Sequence, residues 1–111
     1  MESSVWTPER IAEVVSAHGV DRAYRLDLNG ADALGFWKDD VFIVAAGSVC
    51  GARDARFDTV PFRWRDTLER LGAIRGGEFV DDEKFTSADV AAVVVSGSPS
   101  DAGSWNPVRG L

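Results

Sequence analysis

Leu34-Gly35-Phe36-Trp37-Lys38-Asp39-Asp40-Val41-Phe42-Ile43-Val44-Ala45-Ala46 consists of two apolar runs parted by three charged residues. Both runs are short and rich in aromatic and β-branched side chains, so the stretch reads as two strands joined by a tight hairpin. The second run, Val41–Ala46, has no polar alternation, which is the pattern of a strand covered on both faces. It is expected to lie at the centre of the sheet.

Upstream, Tyr24, Leu26 and Leu28 alternate with Arg25 and Asp27 as a half-buried strand does, and Asn29-Gly30 supplies a turn. Before that strand, Thr7 serves as an N-cap, Pro8 occupies the first helical position and Glu9 faces the positive end of the helix dipole. Ile11, Val14 and Val15 share one face and Gly19 is the stop, which predicts a helix from Pro8 to His18.

Downstream, residues 47–59 have little apolar content and read as a surface loop. Pro61 opens a helix whose Phe62, Leu68 and Leu71 form the buried side, with Gly72 ending it. Gly76-Gly77, between Ala73-Ile74 and Glu78-Phe79-Val80, fits the turn of a short hairpin. Ser87 caps a last, largely buried helix through Val90, Ala91, Val93, Val94 and Val95, closed by Gly97. Trp105 is the one large residue of the tail and is expected to fold back over the core. These elements make an α+β domain: a mainly antiparallel sheet packed against two or three helices. Val14, Leu26, Phe42, Val44, Leu68, Phe79, Phe85, Ala91 and Val94 are the expected core.

The chain has 111 residues, of which 45% are apolar and 27% charged, the composition of one globular domain. No apolar run reaches the roughly 18 residues of a membrane helix, and Met1-Glu2-Ser3-Ser4 lacks the basic start of a signal peptide, so a cytoplasmic location and no membrane partner are expected. Cys50 is the single cysteine and reads as a small hydrophobe at a strand end.

Few side chains offer chemistry. His18 is the only histidine and falls at a helix C-terminus, where an imidazolium interacts well with the dipole. One histidine and one cysteine far apart do not make a zinc site or a nucleophile–base pair in a strand-turn-helix elbow, and no phosphate-binding glycine loop occurs. Asp81-Asp82-Glu83 reads as a solvated turn, since neighbouring residues on a strand end point apart. The expectation is therefore no catalytic residue, no metal and no cofactor. An enzyme would need carboxylates converging from separate elements.

The net charge of −6 is unevenly spread. Residues 1–50 carry four basic and eight acidic groups and residues 76–111 two and six, whereas residues 51–75 carry six arginines against four acids. An acidic chain gains little from the counterion release behind general DNA binding, but the basic middle can act locally. Arg53, Arg56, Arg63 and Arg65, with Trp64 among them, combine guanidinium groups suited to phosphate with a ring suited to stacking. The same residues also read as a solvated helix face, with Arg63–Asp66 and Asp66–Arg70 at ion-pair spacing. In a second functional reading the acidic ends, with Glu9, Glu13 and Asp21, dock on a basic partner protein as an inhibitor or antitoxin-like regulator does.

Four signals in order span Ala33 to Trp105: Val44-Ala45-Ala46-Gly47-Ser48, the helix end Leu71-Gly72 before a hairpin, Phe85-Thr86-Ser87 leading to Ala91-Ala92, and Gly97 followed by Gly103 and Trp105. In this the chain resembles the family called domain of unknown function 4357, often C-terminal to GIY-YIG nuclease domains. Its serine-helix-tryptophan ending is also similar to the restriction enzyme and adenine methylase associated domain. The resemblance implies an accessory module of DNA restriction or defence, contacting DNA, plain or modified, or a nuclease or methylase-type protein, and it adds Trp105 to the candidate contacts. Tyr24 is the only tyrosine, so the two-tyrosine nuclease signature is not built. Residues 1–32 then form an added helix and strand, 33–106 the family-like domain and 107–111 a tail expected to fray.

Overall fold

The computed structural model describes residues 5–110. Three helices, α1 (Pro8–His18), α2 (Val60–Arg70) and α3 (Ala88–Ser96), accompany seven strands: β1 (Tyr24–Leu26), β2 (Ala33–Lys38), β3 (Val41–Val44), β4 (Ile74–Arg75), β5 (Glu78–Phe79), β6 (Glu83–Phe85) and β7 (Asn106–Pro107). Five strands form one antiparallel sheet in the order β6-β3-β2-β1-β7, and β4–β5 is a separate hairpin. The fold is α+β.

The β2–β3 hairpin forms where expected. Its two turn residues, Asp39 (φ 52°) and Asp40 (φ 66°), are both left-handed, the conformation that matches the twist of the flanking strands. Its place in the sheet differs from expectation: β3 is an inner strand, but β2 is the middle one. An apolar run shows that a strand is covered and does not show which of two covered strands has more neighbours.

Both faces of the sheet are packed. On one, Leu26, Ala33, Phe42, Val44 and Phe85 meet Leu68 of α2, Ala91, Val94 and Val95 of α3, and Trp105. On the other, Leu34, Phe36, Ile43 and Ala45 meet Trp6 and Ile11, with Val14 and Val15 of α1 partly buried against them. Val14 is thus half-buried and not core, because α1 lies outside the sheet and only Ile11 reaches full burial.

Helix ends follow local chemistry. Thr7 Oγ1 accepts from Arg10 N at 3.2 Å, and Ser87 Oγ accepts from Asp89 N and Val90 N. Gly97 closes α3 at φ 72°, and a Cβ there would collide with the Ala52 carbonyl, so only glycine fits.

Three further expectations are corrected. Residues 47–59 form no free surface loop: Val49 bridges Asp32 and Glu78, Gly51 N donates to Val95 O at 2.8 Å, and Asp54 N donates to Gly97 O at 2.7 Å. Leu71 lies past the end of α2 and is 70% exposed, while Arg65 takes the inward position between Phe62 and Leu68. The tail does not begin to fray at 107: Pro107 pairs with Tyr24, and Val108 N donates to Ala23 O at 2.9 Å. Strand β1 therefore lies between β2 and β7 and is integral to the sheet.

Candidate functional site

The six residues expected to contact nucleic acid do not form one patch. Arg65 is 4% exposed; its Nη1 donates to Val94 O and its Nη2 to Gly51 O, both at 2.9 Å, and Nε faces Glu69 at 3.6 Å. It locks α2, α3 and the 47–59 segment together and presents nothing to solvent. Trp105 is 5% exposed, packs on Phe42 with ring centroids 4.8 Å apart, and donates from Nε1 to Ala88 O. Its expected role as a core cap holds, and its burial removes it from any contact surface.

Arg53 is spent inside the molecule. It bonds Asp66 through Nε at 2.8 Å and Nη2 at 3.1 Å, reaches the Asp54 and Phe57 carbonyls, and lies over the Phe62 ring. Asp66 therefore serves Arg53 and not the helical partners that spacing suggested. Arg56 is exposed but doubly bonded to Asp54, at 3.0 and 2.7 Å. Those bonds hold the Asp54 carboxyl down at about 2, so Arg56 is already neutralised.

Arg63 and Trp64 remain. Both are exposed, and they line a groove of about 520 Å³ with Val60 and Thr67 of α2, Lys84 and Phe85 of β6, Thr86, and Val90 of α3. Neither Arg63 nor Lys84 makes an ion pair among the described residues. Arg70, one turn beyond Thr67, has its Nη2 3.5 Å from Thr67 Oγ1. Spacing along α2 explains the wall: residues 63, 67 and 70 share one side of a helix, while Phe62, Arg65 and Leu68 take the other.

Lys84 escaped sequence reasoning because only the β3–β6 pairing makes it part of an edge strand whose backbone borders the groove, with its side chain on the Ile43 face of the sheet, and its neighbours Asp81-Asp82-Glu83 suggested a turn. Those acids are dispersed. Asp82 pairs with His18 Nε2 at 3.0 Å and accepts from Ala46 N at 2.8 Å. His18 also packs on Phe36, with centroids 4.6 Å apart. The Glu83 carboxyl is raised, first by burial and then by the Asp81 charge. A carboxyl that holds its proton more tightly when folded costs stability at neutral pH, and the cost disappears as pH falls. Glu83→Gln is thus expected to raise the thermal midpoint at pH 7, with the gain shrinking toward pH 4 in paired melts.

Cys50 is half-buried, and burial pushes its thiol up to about 11, so the thiolate is scarce at neutral pH. Among the described residues no three His, Cys, Asp or Glu side chains are grouped to hold a metal ion, and no helix is long and apolar enough to cross a membrane. Glu9, Glu13 and Asp21 are exposed, away from the groove. Comparison with family models, with curated proteins and with solved structures found no match.

Proposed function

We propose that the chain is a non-catalytic accessory module of DNA restriction or defence that holds nucleic acid in the groove between α2 and β6. One observation carries the reading: in a protein of net charge −6, Arg63, without an ion-pair partner among the described residues, and a 39%-exposed indole border one concavity, with the Lys84 strand edge opposite them. A guanidinium group binds phosphate, and the indole offers a stacking face to a base. The resemblance noted in the sequence supports the setting, and a nuclease or methylase-type protein is the fitting companion. The contact surface is Arg63, Trp64 and the backbone edge at Lys84, with Arg70 at its margin.

Binding to labelled oligonucleotides, single-stranded and duplex, plain and methylated, tests the reading at low salt. Arg63→Glu is expected to weaken binding and to flatten the logarithmic salt dependence by roughly 0.7 for each single-strand phosphate that is no longer neutralised. No measurable binding of any of these oligonucleotides at low salt rejects the proposal.

A further inference from the structure

The backbone at the floor of the groove names the form of nucleic acid that fits. Ala45 N donates to Leu34 O at 2.9 Å, which makes Leu34 and Ala45 a hydrogen-bonded pair. In an antiparallel ladder the pairs alternate, so Ile43 and Val41 also aim their N–H and C=O at β2, whereas Phe42 and Val44 aim theirs at β6. Ala46 N points to that same side, toward Asp82. Phe42 thus exchanges bonds with Phe85, and Val44 with Glu83. Between them, Lys84 turns its N–H and C=O outward, and β6 is the last strand of the sheet, so no strand covers them. Lys84, Phe85 and Thr86 line the groove opposite Arg63 and Trp64.

We infer that this groove takes an unpaired nucleotide, its base stacked on Trp64 and its Watson–Crick edge bonded to the Lys84 backbone; the inference rests on the nucleic-acid reading above. An N–H and a C=O side by side complement an acceptor beside a donor. Every unpaired base offers that combination on its Watson–Crick edge, and a base within a duplex has already used it. The groove volume of about 520 Å³ lies within the roughly 300–1,000 Å³ of small-ligand sites. Arg63 supplies positive charge for a flanking phosphate. The same edge suits an added peptide strand less well, because β6 spans three residues and Lys84 alone among them faces outward.

The test is fluorescence anisotropy with a labelled oligothymidine, its blunt duplex with oligoadenine, and an oligomer of N3-methylthymidine, which keeps charge and ring but blocks the edge. The single strand is expected to bind about ten-fold or more tightly than the duplex. Blocking the edge is expected to weaken it about five- to ten-fold, the value of a hydrogen bond with one partner left unsatisfied. Trp64→Ala is expected to weaken the single strand roughly ten-fold or more and Trp64→Phe much less, since stacking on any aromatic face contributes; circular dichroism of both variants, with the conservative Trp64→Phe as the reference, checks that the fold is kept. Equal binding of the duplex, or of the methylated oligomer, overturns this inference and leaves the nucleic-acid reading standing. Absence of binding to any oligonucleotide overturns both, and capture of an alternating glutamate–leucine peptide then assigns the edge to an added strand.

Discussion

Arg65→Met is expected to remove about 3 kcal/mol or more of unfolding free energy, since two charge-assisted hydrogen bonds disappear at roughly 1.5–3 kcal/mol each. The side chain is buried, and its two carbonyl partners belong to different parts of the fold, Val94 in α3 and Gly51 in the 47–59 segment. Methionine fills much of the space but leaves both oxygens without their donors. Against a small domain's total of about 5–15 kcal/mol, such a loss is a large fraction, and urea titration reads it directly. Arg65→Lys is expected to recover little, because an ammonium is a point donor and does not reproduce the planar fork that spans two carbonyls. An unchanged urea midpoint in Arg65→Met refutes the locking role.

Trp105→Ala is expected to cost about 3–5 kcal/mol, the usual penalty for emptying a large aromatic site in a core. The ring is seated against Phe42 on the α2–α3 face of the sheet, and its Nε1 donates to Ala88 O at the first residue of α3, so the substitution removes packing and a tie to the last helix together. Trp105→Phe separates the two contributions: the ring packing largely remains, and the loss is expected to fall to about 1–2 kcal/mol, a hydrogen bond plus some volume. Thermal and urea melts of the two variants check the order. Equal stability of both with the parent chain contradicts the assignment of Trp105 to the core.

Of the candidate site, the sequence made Arg63 and Trp64 legible and misplaced the rest for identifiable reasons. Arg65 stands three residues from both Phe62 and Leu68, which is inward spacing, yet its charge argued for solvent. What overrides the charge is a pair of carbonyls at the right separation, supplied by segments 14 and 29 residues away. Arg53 was assigned to nucleic acid and Asp66 to Arg63 and Arg70 on its own helix, and they bind each other across 13 residues because the 47–59 segment is stitched down against α2. Trp105 was placed both in the core and at the surface; its indole N–H finds a buried acceptor, and burial prevails.

The amino-acid order alone determined the elements whose causes are local. Thr7-Pro8 starts a helix, Gly19 and Gly97 end two, the 34–46 stretch folds as a hairpin, and apolar runs commit those strands to an interior. Capping, turn geometry and side-chain period act within a few residues, so they can be read along the chain. Tertiary structure decided which strand lies in the middle, that α1 covers the second face, that Glu83–Phe85 becomes an edge strand, and that Lys84 joins Arg63 and Trp64 around one groove. Each of those outcomes depends on partners distant in sequence, whose contacts form only when hydrophobic burial draws the sheet and helices together.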